Sequence, residues 1–182
     1  NQKVNSDLKD FFEFYVDYYF KTVDREFRKV FPNHLYLGCR LYEKTHGNKI
    51  VRKIAAKYCD VLSYNVYKYS LTDFDFFKNL NKPVIIGEFH FGTGTHGVWG
   101  TGLRVAYNLE QQAELYKQFV YEASINHAII GAHWFQWTDQ PATGRFDGEN
   151  FRIGFVSITD QPYEKLVDAT KHINSNLLEW RK

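Results

Sequence analysis

The chain contains no methionine and only two cysteines, Cys39 and Cys59, among its 182 residues. Neither cysteine has a histidine or a second cysteine at the spacing of a metal site, and the two lie in different apolar segments. We therefore expect small buried thiols rather than a disulfide or a redox pair. Because residue 1 is not methionine, we also expect a processed or truncated product.

The sequence also lacks a strong excess of charge and a long apolar run. Lys and Arg number 23 against 21 Asp and Glu, which gives a net charge of +2. This balance excludes the basic footprint expected of a nucleic-acid-binding protein. No apolar run approaches the roughly 20 residues of a membrane span. The first ten residues have neither the basic start nor the apolar run of a signal peptide.

Aromatic residues are abundant, with 16 Phe, 13 Tyr and 4 Trp. A chain of this length can bury one core and is short for two, so we expect a single domain over residues 1–182. Most of the aromatic side chains must belong to that core. The remainder could form a protein interface or platforms for flat apolar ligand faces.

The pattern of apolar residues predicts an α/β chain. The strands are nearly continuously apolar, which is typical of a parallel sheet covered by helices. No glycine-rich phosphate motif stands between a strand and a helix, so a dinucleotide-binding fold is disfavoured. The predicted helices are 7–30, with Ser6 or Asp7 as cap, 48–59, about 73–80, 108–125 and 163–181, and the predicted strands are 34–40, 60–67, 83–89 and 127–137.

Polar side chains cluster where these strands end, as they do in an eight-stranded barrel, whose catalytic groups follow the carboxyl ends of the strands. A complete barrel needs eight strand–helix units and about 250 residues, whereas this chain has four units. The strand-end residues are Arg40, Tyr64, Asn65, Tyr67, Glu88, His90, His133, Trp134, Trp137 and Asp139.

Several long stretches resemble glycoside hydrolases of the large retaining (β/α)8 clan, and in particular the β-agarase family, glycoside hydrolase family 50. The resemblance covers the chain from about residue 8 onward. It implies the C-terminal half of a TIM barrel, strands five to eight with their helices. It also implies that Glu88 is the catalytic nucleophile. The stretches are "PNHLYLGCR", "CDVLSYNVY", "KPVIIGEFHFG", "GAHWFQWTDQPATGRFDGENFRIGF" and "ITDQPYEKLV".

One family feature is missing. In this clan the acid/base Glu follows an Asn at the end of the fourth strand, and this chain has no Asn-Glu dipeptide. Asp139, Asp147 and Glu149 are substitutes on paper, but retaining hydrolysis requires two carboxyl groups only about 5 to 5.5 Å apart. As implied by the resemblance, these three and Arg145 are expected to organise the last loop or contact substrate.

The sequence leaves several roles open. Tyr64 or Tyr67 could donate a hydrogen bond that holds Glu88 ionised, and Trp134 or Trp137 could form the floor under the sugar ring. Other residues are expected to contact substrate without a settled role: Arg40, which could instead neutralise Glu88, and Asn65, His90 and His133. A zinc site at His90, His96 and His133 is disfavoured because no helix-borne pair is present.

We therefore predict a fragment of a retaining, β-agarase-like glycosidase that acts on a galactose-containing polysaccharide. Little turnover is expected because the acid/base Glu is missing. Alternatives are a non-catalytic half-barrel that binds carbohydrate or self-associates through open sheet edges, and a β-galactosidase-like member of the clan. Expected partners are the oligosaccharide or polysaccharide and the missing N-terminal half or a second copy, with no nucleic acid, membrane or cofactor. The family implies a secreted or periplasmic location.

Overall fold

The structure is a computed structural model that describes residues 2–42 and 45–181. Within these residues the chain forms helices that alternate with short strands. The helices are α1 (Gln2–Val30), α2 (Lys49–Tyr58), α3 (Leu109–Ser124), α4 (Glu164–Ser175) and α5 (Leu177–Trp180), and the strands are β1 (Arg40–Tyr42), β2 (Leu62–Asn65), β3 (Val84–Phe89) and β4 (Ile129–Trp134).

The four strands form one sheet in the order β1-β2-β3-β4. β1 pairs with β2 in parallel, with Arg40 opposite Ser63 and Tyr42 opposite Asn65. A sheet whose order follows the chain, with helices between most strands, is the arrangement that parallel strands require, since each return needs a crossover connection. The predicted α/β class and its four parallel strands are confirmed.

The chain divides into two compact units, and the first comprises Asn1–Asn65 and Asp75–Ile85. Its core includes Phe20, which is 2% exposed. Gly38 lies against this core with φ +63°, and a Cβ there would stand 2.5 Å from Cys59 Sγ. Only glycine fits this close approach in a left-handed conformation.

The second unit comprises Val66–Phe74 and Ile86–Lys182. Its core is aromatic: the Phe89 ring stacks on Phe119 of α3 at 4.2 Å, and Trp134 meets Phe89 edge-on at 5.3 Å. Stacked and edge-to-face aromatic pairs add to the stabilisation from burial alone. This packing fixes the ends of β3 and β4, where the candidate site lies.

Most predicted elements are confirmed, but four details are wrong. Residues 34–40 are not a strand, because the left-handed Gly38 interrupts extended backbone and β1 begins only at Arg40. Residues 73–80 form turns rather than a helix, with Asn79 at φ +66°. α1 begins before the predicted cap at Ser6 or Asp7, and the last helix divides at Asn176.

Helix α1 leaves several aromatic side chains exposed. Phe11, Phe14, Tyr15 and Tyr18 are each more than 60% exposed. Val16 and Phe20 are the buried residues of this helix. A contiguous exposed apolar surface of this kind marks an interaction site in folded proteins. No helix within the described residues is long and apolar enough to cross a membrane.

Candidate functional site

Glu88 lies half-buried at the penultimate position of β3. The Tyr67 hydroxyl donates a 2.7 Å hydrogen bond to Glu88 Oε2. The backbone brings the two together, since the N–H of Val66 donates to the Glu88 carbonyl at 2.8 Å. A donor aimed at one carboxylate oxygen restrains the Glu88 side chain to one orientation. Of the two candidate tyrosines, Tyr67 is therefore the one that contacts Glu88 in this unit.

His90 packs against the ring of Tyr67. It is 1% exposed, and its ring lies 4.7 Å from that of Tyr67. Nδ1 pairs with the Phe135 carbonyl at 3.1 Å, while Nε2 accepts the N–H of Leu103 at 2.8 Å. These bonds require the neutral tautomer protonated on Nδ1. Burial lowers the His90 pKa from 6.5 to about 4, and the hydrogen bond to Phe135 opposes this shift.

His90 was expected to contact substrate, but in this structure both ring nitrogens are occupied and the side chain is buried. Its neighbour Gly102 has φ +69°, and a Cβ there would lie 2.4 Å from His90 Nε2. The ring therefore joins the loop after β3 to the loop after β4. Its position is that of a support for Tyr67.

Side chains alternate between the two faces of a strand. Phe89 and Trp134 both contact Tyr116 of α3, so they lie on the helix-covered face. Glu88 and His133, one residue earlier in each strand, therefore lie on the opposite face. His133 is exposed there.

The two candidate tryptophans differ in environment. The Trp134 indole donates to the Ile153 carbonyl at 2.7 Å and is packed among aromatic rings, so it is placed as a core residue. Trp137 is 68% exposed in the following loop and is free to cover a ligand. Phe135, which the sequence reasoning passed over, has its ring 6.1 Å from His90 and is joined to Gln136 by a cis peptide bond.

Asp139 is a structural carboxylate. It is 4% exposed, Oδ1 accepts the N–H of Gly154 at 2.7 Å, and Oδ2 accepts the Tyr163 hydroxyl at 2.5 Å. Burial, followed by the bond to Asp139, raises the Tyr163 pKa to about 12. With a hydrogen bond to each oxygen, Asp139 organises the loop.

The other two acids of that loop are also engaged. Asp147 Oδ2 accepts from Arg145 at 2.8 Å, and Glu149 Oε2 accepts from Gln140 at 2.8 Å and lies 3.4 Å from Arg145. These bonds close the turn after β4. The loop-organising role expected from the resemblance agrees with these contacts.

Three candidates lie in the first unit. Tyr64 is fully buried, and burial raises its pKa to about 12. Arg40 is exposed at the first position of β1 rather than at a strand end. Asn65 ends β2, and its buried Oδ1 has no hydrogen-bond partner within the described residues.

A buried polar network joins the loops of the second unit, and sequence reasoning missed it. Arg152 is 0% exposed, donates to Gln112 Oε1 at 2.5 Å and stacks on the Tyr163 ring at 3.6 Å. Gln112 in turn donates to the Phe91 carbonyl at 2.5 Å. Burial lowers the Arg152 pKa. A lone Gln on a helix and a lone Arg in a loop carry no sequence pattern that could have revealed the pair.

In the second unit the Glu88 carboxylate lies on the face of the sheet opposite α3, and the Tyr67 hydroxyl holds it there. No group of three His, Cys, Asp or Glu residues is placed to hold a metal ion in the described part of the chain. The loop acids Asp139, Asp147 and Glu149 are tied to loop partners. A carboxylate held in this way is a chemical type that can act as a nucleophile.

Comparison with known proteins gives consistent relatives, although no family model matches the sequence. The chain is 41% identical over 188 residues to β-agarase B of Vibrio sp. (strain JT0107), covering 100% of this chain and 20% of that protein. It superposes on the agarase AgWH50C with a TM-score of 0.90 at 40% identity, covering 100% of this chain and 26% of that one. An exo-β-agarase gives a TM-score of 0.88 at 44% identity, over 93% and 23%. The chain thus spans about a fifth of the length of the curated relative.

Proposed function

Since this chain is homologous along its length to part of the β-agarases of glycoside hydrolase family 50, we propose that it is part of the catalytic domain of a retaining, β-agarase-like glycoside hydrolase. Its four strands are then the fifth to eighth of the barrel. Glu88, in the seventh, is the nucleophile.

The observation that carries this proposal is the hydrogen bond from Tyr67 to Glu88 Oε2 at the end of a buried parallel strand. In retaining hydrolysis one carboxylate attacks the anomeric carbon and forms a glycosyl-enzyme intermediate, which water then cleaves. The bond from Tyr67 holds the carboxylate in one orientation for this attack. The packed Phe89 fixes the strand end, so the nucleophile is preorganised.

The acid/base group is proposed to lie in polypeptide outside this sequence. The loop acids are engaged in their own turn, and the relatives are about five times as long as the part this chain matches. Removal of the proton donor costs several orders of magnitude with ordinary leaving groups. The 182-residue chain alone is therefore expected to hydrolyse agarose very slowly or not at all.

The missing polypeptide also provides a partner for exposed surface. The aromatic face of α1, defined by Phe11, Phe14, Tyr15 and Tyr18, is open in this chain. In a longer polypeptide the first half of the barrel is proposed to cover it. We also propose that the protein is secreted or periplasmic, where a polysaccharide is accessible, and fractionation of producing cells with an antibody to this chain tests that location.

The test of the nucleophile uses a substrate that needs no acid. With 2,4-dinitrophenyl β-galactoside, Glu88 attacks C1 and releases dinitrophenolate without protonation, and azide then attacks C1, giving β-galactosyl azide and regenerating the carboxylate. We expect azide to accelerate release in the native chain and to have no effect on Glu88→Gln. Equal acceleration by azide in the Glu88→Gln variant, or agarose hydrolysis by the pure chain at an ordinary enzyme's rate, would contradict the proposal.

The exposed face of α1 also supports a second candidate, a half-barrel that self-associates or binds carbohydrate without turnover. An apolar surface of this size is unfavourable in water. Light scattering at high concentration tests the self-association. A stable monomer argues against self-association, and a dimer that Tyr15→Lys or Tyr18→Lys dissociates supports it.

A further inference from the structure

A groove of about 570 Å³ in the first unit lies between the start of α2 and the turn over residues 75–80. Four cationic side chains line it, and Asp75 is the one carboxylate among the lining residues. The groove therefore carries an excess of three positive charges, although the whole chain has a net charge of only +2. The cations are Lys49, Arg52, Lys53 and Lys78.

The three cations on α2 have no carboxylate partner within the described residues. Lys78 pairs with Asp75 at 3.4 Å, but both side chains are more than half exposed, so this pair is weak. Most other cations of the first unit's helices behave differently: Arg28 pairs with Asp60, and Lys57 pairs with Asp17. In the part of the chain that the structure describes, three of the four positive charges that line the groove thus have no carboxylate partner.

The position of these cations on α2 is unfavourable for the helix itself. The first turn of α2 contains Lys49 and no acidic residue, although the N-terminus of a helix favours negative charge. Lys49 and Lys53 are four residues apart, as like charges that repel on one helix face. In α1, by contrast, Arg28 and Lys29 lie in the last turn, where the dipole favours cations. An anion bound in the groove would interact favourably with the N-terminus of α2 and would reduce the repulsion between Lys49 and Lys53.

Arg52 is already ordered for such a ligand. Its Nη1 donates to the His46 carbonyl at 3.0 Å, and its guanidinium carbon lies 4.9 Å from the centroid of the Phe76 ring. A guanidinium fixed by packing loses little further freedom when it binds an oxyanion, and its planar fork suits two oxygens at once. The flanking lysines can close over the ligand as point charges.

We propose that this groove binds an oxyanion group, a sulfate ester or a carboxylate, carried by a saccharide. The volume lies in the range of small-ligand sites. The small net charge of the chain argues against an extended nucleic acid as the ligand. The saccharide carrier rests on the proposed function, whereas the oxyanion site rests on the groove alone.

The test compares a carrageenan-derived tetrasaccharide, which carries sulfate esters, with the same tetrasaccharide after chemical desulfation. Binding is followed by NMR shifts of α2 amides in the 182-residue chain. We expect the sulfated form to bind, the desulfated form to bind at least tenfold more weakly, and added salt to weaken binding. The triple variant Lys49→Gln, Arg52→Gln and Lys53→Gln should lose at least tenfold in affinity.

A matched triple variant, Lys9→Gln, Lys21→Gln and Lys171→Gln, removes the same charge elsewhere and should bind as the native chain does. Without ligand, the double variant Lys49→Gln and Lys53→Gln, which keeps the contacts of Arg52, should unfold at the same temperature as the native chain or a higher one, because it removes repulsion. Weaker binding by this double variant is then not a loss of folding. Glu88→Gln should bind normally, so a failed hydrolase proposal leaves the result unchanged.

Four outcomes overturn either the oxyanion site or the inference that a saccharide carries the oxyanion. Equal affinity for the sulfated and desulfated tetrasaccharides, or equal loss in both triple variants, overturns the oxyanion site. Tighter binding of a single-stranded oligonucleotide of the same charge overturns the saccharide carrier. Binding of inorganic sulfate through Lys49, Arg52 and Lys53 with no binding of the sulfated tetrasaccharide also overturns the carrier and retains the oxyanion site.

Discussion

The Tyr67 hydroxyl lies 2.7 Å from Glu88 Oε2, and the ring of Tyr67 rests against that of His90 at 4.7 Å. The carboxylate, its donor and the support of that donor thus form a short chain of contacts. His90 continues the chain to the Phe135 carbonyl and the Leu103 amide. The loops on either side of Glu88 are thereby linked to the residue that orients it.

The substitution Tyr67→Phe is expected to slow release of dinitrophenolate by the native chain about 10- to 100-fold, because a hydrogen bond to a charged group contributes roughly 1.5–3 kcal/mol. Release is measured in a single turnover with excess protein. Tyr121→Phe, on the exposed surface of α3, is the matched control and should leave the rate unchanged. Equal rates for Tyr67→Phe and the native chain would show that the bond does not act on the nucleophile.

The buried His90 makes stability depend on pH. Its folded pKa of about 4 lies below the 6.5 of an exposed histidine, so the unfolded chain binds a proton that the folded chain does not over this range. Stability is therefore full above about pH 6.5 and falls as the pH decreases towards 4, by about 3 kcal/mol in all. Urea unfolding at pH 7.5 and pH 5 measures the loss.

His90→Gln should remove most of this pH dependence, while His127→Gln, an exposed control, should keep it. A native chain whose unfolding free energy is flat between these two pH values would contradict the buried neutral histidine. So would a His127→Gln variant that loses the dependence.

Substitutions at two glycines allow the cost of a steric contact to be measured apart from the cost of backbone strain. Gly102 and Gly97 both have left-handed φ angles, +69° and +80°, but a Cβ at Gly102 meets His90 Nε2 whereas a Cβ at Gly97 meets nothing within 4 Å. Gly97→Ala should cost about 1 kcal/mol in the free energy of unfolding. Gly102→Ala should cost roughly 1–3 kcal/mol more, since the ring or the loop must shift. Equal costs in urea unfolding would rule out the contact with His90.

Replacement of the buried Arg152 by Met is expected to destabilise the chain by about 3 kcal/mol, because it leaves Gln112 Oε1 without the donor from Arg152 and removes the contact with the Tyr163 ring. Arg104→Met is the control, since among the described residues the Arg104 guanidinium donates only to the carbonyl of its neighbour Leu103. The free energy of unfolding measures both. A variant at position 152 as stable as the control would mean that the network contributes little.

The sequence predicted the strand that carries Glu88 because its apolar run and the carboxylate at its end are local features. It could not choose between Tyr64 and Tyr67, since both stand near the end of one strand and the register with β3 decides which hydroxyl reaches Glu88. The burial of Asp139 was likewise hidden, because Tyr163 and Gly154 are distant along the chain.

The helix α1 shows a different limit. Its apolar period predicted the helix correctly, but Phe11 and Tyr15 are exposed, and periodicity alone does not show whether an apolar helix face is covered. In the same way a left-handed φ at Gly38 ended an apolar stretch that otherwise predicts a strand. The exposure of α1 and the end of the apolar stretch at Gly38 both depend on contacts or conformations that the local sequence pattern does not contain.

The network through Gln112, Arg152 and Tyr163 also constrains the order of assembly. Gln112 and Arg152 are 40 residues apart along the chain, and Asp139 and Tyr163 are 24 apart. Contacts between residues this far apart along the chain form only when the entropy cost of closing the intervening loop is met. During synthesis on the ribosome, the loops beside Glu88 therefore cannot reach their final arrangement until Tyr163 has emerged, and a nascent chain stopped before that residue holds its strands without a finished site.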